Sequence, residues 1–527
     1  MKINAEFMII FEMKFLTISI LFMSVYTLLF YIFLEVWYLQ RNKSSKVAPV
    51  VLPYVVVHLD LKGSPPKLSY LESTLPMLKK HGVNGLLMEY EDMFPYEGKL
   101  VNLSARNCYK KFELANFLTR AAQLGFEIIP LIQTFGHMEH GLKLKEFQHL
   151  RESLLYPDSI CPSKAESLIF IKNMLEQNIL SYPLKHIHIG CDEVFQINSC
   201  EQLSSISPNI TVLIWDDMLR STTMMESKKI NFTKDIEPVY WDYKTSVTVS
   251  HANMFKYHTM FGNIWVASAF KGADGRMAVL PDLPNRFLNH ISWLNFIKNY
   301  KFGGEGKIYN FKGVVLTGWS RYSHMDPPCE LLPVAIPSLI LNLILIKKYS
   351  EGIVINEYTQ TEDDFFNQYI QGDFNKSLEC HHVKDLYFFN SSLCAFDGSK
   401  IYSILKQYKD INIYIQEQFY NIDTALSAVE YYAKTNIINV NRAQISLTWC
   451  EEMLSELLSI EINLSKAMKQ YYDKEFIEEY VNFRTFNTKK ILVELLSYLK
   501  NYVQPQTWER GPMNNVSAIM KKYLTVY

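Results

Sequence analysis

Between residues 51 and 345 one pattern recurs: a short run rich in β-branched and aromatic residues, then a longer stretch with apolar positions every three or four residues. The runs are Tyr54 to Lys62, Val83 to Asp92, Phe126 to Met138, His186 to Glu193, Thr211 to Met218, Ile236 to Tyr243, Asn263 to Phe270 and Gly313 to Tyr322. Leu68 to His81, Lys111 to Leu124 and Ala165 to Leu180 carry helical periodicity, each leading into the next strand. Eight strand-and-helix units in about 290 residues match the count and size of a (β/α)8 TIM barrel. The linkers after the fifth and sixth strands are short or carry a glycosylation triplet, so one or two outer helices are expected to be degenerate. A closing helix is expected from Leu331 to Lys347, with Pro333 in its first turn and an irregularity at Pro337. Beyond Tyr349 strand alternation stops and helical periodicity takes over, as in Ile401 to Lys434 and Ala443 to Tyr472. This α-helical C-terminal region holds no chemical constellation, which leaves it a buttress on the barrel or the interface of a homodimer.

The N-terminus adds another element. From Phe15 to Leu34 twenty residues pass without a charge, enough for a helix across a hydrocarbon layer about 30 Å thick. A cleaved signal peptide has a shorter apolar region of about 7 to 15 residues and a small-residue cleavage site, and Trp37-Tyr38-Leu39-Gln40 offers none. The organisation expected is a tail (1–14), a transmembrane signal anchor (15–34), a linker (35–50), the barrel (51–350) and the helical region (351–527). Lys2 and Lys14 before the segment, against Arg41, Lys43 and Lys46 after it, lean slightly against a luminal body. Asn-x-Ser/Thr triplets lean the other way. They begin at Asn42, Asn102, Asn209, Asn231, Asn375, Asn390, Asn463 and Asn515, against about four expected by chance. The reading is a single-pass type II membrane protein of the secretory pathway, in the Golgi, with its barrel in the lumen. The 8 cysteines show no metal spacing and permit disulfides.

Composition narrows the function classes. With 48% hydrophobic and 20% charged residues and a formal net charge of -1, neither disorder nor a nucleic-acid partner is expected. The chemistry gathers at the C-terminal ends of the strands, where barrel enzymes keep it. There the chain carries Asp60 and Lys62, Glu89 and Glu91, Gly136-His137, Asp192-Glu193, Trp215-Asp216-Asp217, Tyr240-Trp241, Ser268, and Trp319-Arg321-Tyr322. In His186–Glu193 strand parity sends His186, His188, Gly190 and Asp192 to one face and Ile187, Ile189 and Cys191 to the other, making Cys191 a core thiol. Aromatic walls around paired carboxylates suit a pyranose, with its apolar faces and hydroxyl edges.

Gly190-Cys191-Asp192-Glu193-Val194 resembles the acidic signature of glycoside hydrolase family 20, the β-N-acetylhexosaminidases, and Gln133-Thr134-Phe135-Gly136-His137 resembles its strand-three motif. Trp215-Asp216-Asp217, Trp241 and Trp319 sit where that family places pocket tryptophans. The hexosaminidase D branch is the closest resemblance, through residues 58–63, 89–98, 267–272 and 316–319. Three departures stand out. Lys62 replaces a hydroxyl-gripping Arg, Ser320-Arg321 replaces the acidic residue after the strand-eight Trp, and no strand-seven pocket Tyr is obvious.

The resemblance implies an exo-acting hydrolase that removes a terminal β-linked N-acetylgalactosamine or N-acetylglucosamine with retention and needs no cofactor or metal. Glu193 is the expected acid, its carboxyl raised by a partly desolvated pocket. Neighbouring carboxylates at one strand end are unlikely partners across a sugar, so the resemblance makes the substrate's acetamide the nucleophile, oriented by Asp192. Both carboxylates can face one pocket only if the strand breaks at Glu193. His137 joins the carboxylate network, and Asp60, Lys62, Glu91, Trp215, Asp216, Trp241, Trp319, Arg321 and Tyr322 are the expected substrate-binding residues. Donors at Lys62 and Arg321 suggest that galacto substrates are cleaved at least as well as gluco ones. The alternatives are a catalytically impaired sugar-binding protein and a glycosidase pairing Glu91 with Glu193.

Overall fold

The computed structural model describes residues 49–179, 184–193, 210–229, 236–301, 309–355, 360–434, 439–505 and 507. The apolar segment 15–34, the triplets at Asn42, Asn209, Asn231 and Asn515, and Cys200 lie outside them.

Eight parallel strands close a barrel in sequence order. They are β1 (Tyr54–Asp60), β2 (Gly85–Glu89), β3 (Glu127–Leu131), β4 (His186–His188), β5 (Thr211–Trp215), β6 (Ile236–Trp241), β7 (Asn263–Lys271) and β8 (Asn310–Gly318). Pairing of β1 with β8, Tyr54 opposite Gly313, completes the ring. The period of two sorts the side chains. Val56, Leu87, Ile129, Leu213, Val239 and Val315 fill the interior with Trp215 and Trp265, while Val55, Val57, Leu86, Met88 and Ile128 pack outward under the helices.

Outer helices α1 (Leu68–Lys80), α2 (Lys111–Gln123), α3 (Ala165–Ile179), α4 (His251–Phe261), α5 (Leu283–Lys301) and α6 (Ile336–Ser350) cover the sheet. The layer is degenerate after β5, where the described residues form only the short helices Asp217–Arg220 and Met224–Lys229. After β6 it is not, because Ser250 caps α4 by accepting from the Asn253 N–H. Every residue of α6 from Ile336 to Ile346 is buried, as an all-round apolar helix requires. Pro333–Ser350 is long and apolar enough to cross a membrane, but the protein buries 83% of it, which makes it a core helix.

Three long helices follow: α7 (Ser399–Lys434), α8 (Val440–Met468) and α9 (Lys474–Lys500). Leu447, Cys450, Leu457, Leu492 and Leu499 share a core with Val279 of the loop after β7. A disulfide joins Cys380 to Cys394. This region grips the site end of the barrel. Buried Arg484 donates to the carbonyls of Met277 (2.8 Å), Ala278 (3.1 Å) and Pro328 (2.5 Å), and Lys67 N–H donates to Tyr471 O at 2.7 Å. Removing the guanidinium strands three carbonyls, so Arg484→Ala is expected to cost about 3 kcal/mol. Urea denaturation checks it, and an unchanged midpoint would show that the helical region does not brace these loops.

Candidate active site

The acidic pair sits where β4 stops early. Sequence parity places the break at Glu193, but the strand ends at His188 because Gly190 (φ 68), Cys191 (φ 67) and Glu193 (φ 48) take left-handed conformations. Three such residues in four turn the backbone over the barrel mouth and end the alternation that would separate Asp192 from Glu193. A Cβ at Gly190 would lie 1.8 Å from Gln133 Oε1 and 3.3 Å from Gln133 Cα, so a larger residue would displace the Gln133 side chain. Gly190 N–H donates to His188 Nδ1 at 3.0 Å, and its carbonyl accepts from Trp215 N–H at 3.0 Å. Cys191 is buried among outward-facing apolar residues, 3.4 Å from Thr134 Oγ1, on the face its parity predicts. Gly190→Ala is therefore expected to lower kcat more than tenfold in a folded protein, as kinetics alongside circular dichroism would show.

One imidazole joins the two acids. His137, held at φ 50 in the turn after β3, places Nε2 3.5 Å from Asp192 Oδ2 and 3.4 Å from Glu193 Oε2. Burial alone would lower its pKa, but the Asp192 charge and the Glu193 hydrogen bond reverse this and raise it to about 9. Burial pushes Asp192 up to about 6 against the opposing His137 charge. Glu193 goes the other way from the sequence expectation. Its side chain is 57% exposed, and the His137 hydrogen bond, partly offset by burial, holds its carboxyl below the usual value. Asp217 fixes the pair from beneath, accepting from Glu193 N–H at 2.8 Å and from Trp241 Nε1–H at 3.1 Å.

Above the pair opens a cavity of ≈ 220 Å³ with an aromatic wall of Trp215, Trp241, Tyr243, Trp319 and Tyr322. Trp241 stacks on Tyr243 at 5.3 Å, and Trp319 Nε1–H donates to the Tyr243 hydroxyl oxygen at 3.1 Å. That hydroxyl, already accepting, carries a proton of its own, which it shares with the Thr317 side chain. Beside Trp319, Gly272 (φ 75) brings backbone to the cavity where a Cβ would strike Trp319 O at 2.2 Å.

No protein-family model matches the chain. Human hexosaminidase D is 39% identical over 331 residues, covering 56% of this chain and 67% of that protein. Bovine hexosaminidase D is 37% identical over 330 residues, covering 56% of this chain and 94% of that protein. The chain belongs to the hexosaminidase D family. It is a glycoside hydrolase. The fold also resembles a β-N-acetylhexosaminidase from Bacteroides fragilis (14% identity, TM-score 0.43, 62% of this chain and 71% of that one). A mutant Streptomyces plicatus β-hexosaminidase bound to its product GlcNAc compares similarly (14%, TM-score 0.45, 62% and 69%). Both likenesses are too distant to bear on the site.

Within this hexosaminidase D family member the cavity gathers Lys62, His137, Asp192, Glu193, Trp215, Trp241, Trp319, Arg321 and Tyr322 from six strand ends, but not Asp60, Glu91 or Asp216. Asp216 is fully buried behind the wall, taking both forks of Arg220 at 2.7 and 2.8 Å and the Tyr257 hydroxyl at 3.1 Å. Asp60 ties β1 to the loop after β8, accepting from Ser320 N–H at 2.7 Å. Glu91 lies buried beside His324 and His140, away from the cavity. Arg321 reaches the cavity with its two terminal nitrogens committed: Nη2 donates to Gly63 O at 2.6 Å, and Nη1 meets Asp326 O at 3.1 Å and Glu479 of α9 at 2.7 Å. Lys62 is caged by Asp60 and Glu89 at 3.4 Å and Glu91 at 3.6 Å, with Trp319 at 5.2 Å. Burial would lower its pKa, but those carboxylates raise it well above the ordinary value. The galacto argument from Lys62 and Arg321 therefore loses its donors. Asp217 and Tyr243 are the residues that sequence reasoning left out. Asp217 stood in the strand-five motif behind Asp216, and Tyr243 two residues beyond Trp241, where the strand-six run ended.

Proposed function

We propose that the protein is an exo-acting β-N-acetylhexosaminidase that cleaves a terminal β-linked N-acetylhexosamine with retention, through an oxazolinium intermediate. The observation that carries this is the adjacent Asp192-Glu193 pair bridged by His137 at the mouth of an aromatic cavity. Asp192 accepts the acetamide N–H and offsets the charge that develops as the acetamide oxygen attacks C1, while Tyr243 O–H donates to that oxygen and aims it. Glu193 protonates the leaving oxygen and then takes a proton from water. In the resting site the proton sits on His137, and a sugar that displaces water from the exposed Glu193 raises its carboxyl and draws the proton across. The human and bovine relatives, both named hexosaminidase D, support the reading. Purified protein should release 4-nitrophenol from an aryl β-N-acetylhexosaminide, and none released at high enzyme concentration would favour a sugar-binding protein instead.

Two further expectations follow for this activity. Among the described residues the cavity holds no carboxylate beyond the catalytic pair, so the C4 hydroxyl meets no dedicated acceptor in either configuration. Galacto and gluco aryl glycosides should then differ less than tenfold in kcat/KM, under about 1.4 kcal/mol, and a larger preference would require a C4 contact elsewhere. The pH profile of kcat/KM should be a bell. It falls below about pH 6 as Asp192 takes up a proton and above about pH 9 as His137 loses one, and a flat profile from 5 to 10 would contradict these assignments.

Placement in the Golgi lumen, behind the 15–34 anchor, belongs to the same proposal. Exposed triplet asparagines at Asn102, Asn390 and Asn463 and the Cys380–Cys394 disulfide support an oxidising, glycosylating compartment. Peptide N-glycosidase should lower the gel mobility mass of the native protein, whereas an unshifted band places the barrel in the cytoplasm.

A further inference from the structure

Behind the Lys62 wall, outside the cavity, three loops each send one side chain to a single buried point: Glu91 after β2, His140 after β3 and His324 after β8. Their donor atoms lie within 4.8 Å of one another, and Glu91 Oε2 contacts His324 Nε2. Glu91 Oε1 faces Lys62 Nζ at 3.6 Å and His324 Nδ1 faces Lys143 Nζ at 3.3 Å, but part of the cluster's polar capacity is unspent. Neither ring nitrogen of His140 has a hydrogen-bond partner, nor does Glu91 Oε1, although His140 is 1% and Glu91 4% exposed. A neutral imidazole so placed leaves one N–H and one lone pair unmet, an expensive arrangement for a merely structural histidine. The charges are uneven as well. Among the described residues the four carboxylates of Asp60, Glu89, Glu91 and Asp92 face two ammonium groups, Lys62 and Lys143, the latter 3.9 Å from Asp92, and the Arg321 guanidinium, which acts on Asp92.

We propose that Glu91, His140 and His324 bind a divalent transition-metal ion of the zinc class, with water as the fourth ligand, and that the ion clamps the three loops together. Two imidazoles and one carboxylate are a zinc donor set. Ligand atoms about 2.0–2.1 Å from a tetrahedral ion stand roughly 3.4 Å apart, so side-chain rotations of about 1 Å close the shell. The outer contacts are in place. With a metal on His324 Nε2 the ring's proton would sit on Nδ1, which now accepts from Lys143 Nζ at 3.3 Å and would turn to donate to Asp92 Oδ2, 3.7 Å away, as metal-bound histidines do to carboxylates. The ion's charge offsets the carboxylate excess. The clamped loops carry His137, three residues before His140, and Trp319 and Tyr322, just before His324. The ion's role is to hold the cavity wall, and no step of hydrolysis passes through it.

The test is the metal content of the full-length protein, produced with zinc in the medium and dialysed against metal-free buffer. One equivalent of zinc per chain is expected, with the melting temperature falling by about 3 °C when a strong chelator strips a site held at 100-fold over its Kd. His140→Phe and His324→Gln, which keep planar side chains in the same space, should each lose that equivalent. Less than a tenth of an equivalent in the wild type overturns the proposal whether or not the variants fold. Full zinc content in either folded variant overturns it too, by placing the ion elsewhere.

Discussion

Glu193→Gln is expected to slow cleavage of natural glycosides, whose leaving groups need a proton, by about 10²-fold or more, while 4-nitrophenyl and more acidic aryl glycosides lose much less. The reason is geometric. Glu193 is the more exposed member of the pair, its backbone is pinned by Asp217, and its carboxylate meets the protonated His137. It can reach a leaving oxygen at the cavity mouth and draw its proton from behind. A plot of log kcat/KM against leaving-group pKa should steepen in the variant, and equal losses for good and poor leaving groups would remove Glu193 from the role of acid.

Asp192→Asn should act differently, reducing turnover of activated and unactivated substrates alike, on the order of 10³-fold. Asp192 is largely buried, and burial pushes its carboxyl up to about 6, so its ionised form is stabilised chiefly by His137. An amide in its place neither balances an oxazolinium charge nor accepts the acetamide N–H with the same strength. A variant that loses rate only with poor leaving groups would exchange the roles of the two acids.

Much of this was legible in the chain. The eight strand runs matched their strands because a parallel barrel buries both faces of each strand, and the resulting β-branched density survives in any one sequence. The acidic pair was legible for the same local reason, a glycine followed by two carboxylates at a strand end. The point where β4 broke was not, because parity assumes regular backbone and Gly190, Cys191 and Glu193 are left-handed. Nor could sequence separate carboxylates that face the cavity from those that face a neighbour. Asp60, Glu91 and Asp216 end their strands as Asp192 does, yet Ser320 and His324, far along the chain, claim the first two, and Arg220, four residues on, with Tyr257 claims the third. Arg321 was read as a sugar donor because nothing local reveals Glu479, 158 positions away on α9. The Glu91, His140 and His324 group was invisible for that reason also, its members coming from three loops with no ligand spacing between them.

The central claim is that the substrate's acetamide, and no side chain, attacks C1. The measurement that tests it most directly is kcat/KM for 4-nitrophenyl β-N-acetylhexosaminides whose acetyl methyl carries none, one, two or three fluorines. Fluorine weakens the carbonyl oxygen as a nucleophile without changing the leaving group, so the rate should fall at each step, by well over about tenfold across the series. A rate that ignores fluorination would contradict the account and require an enzyme nucleophile in its place.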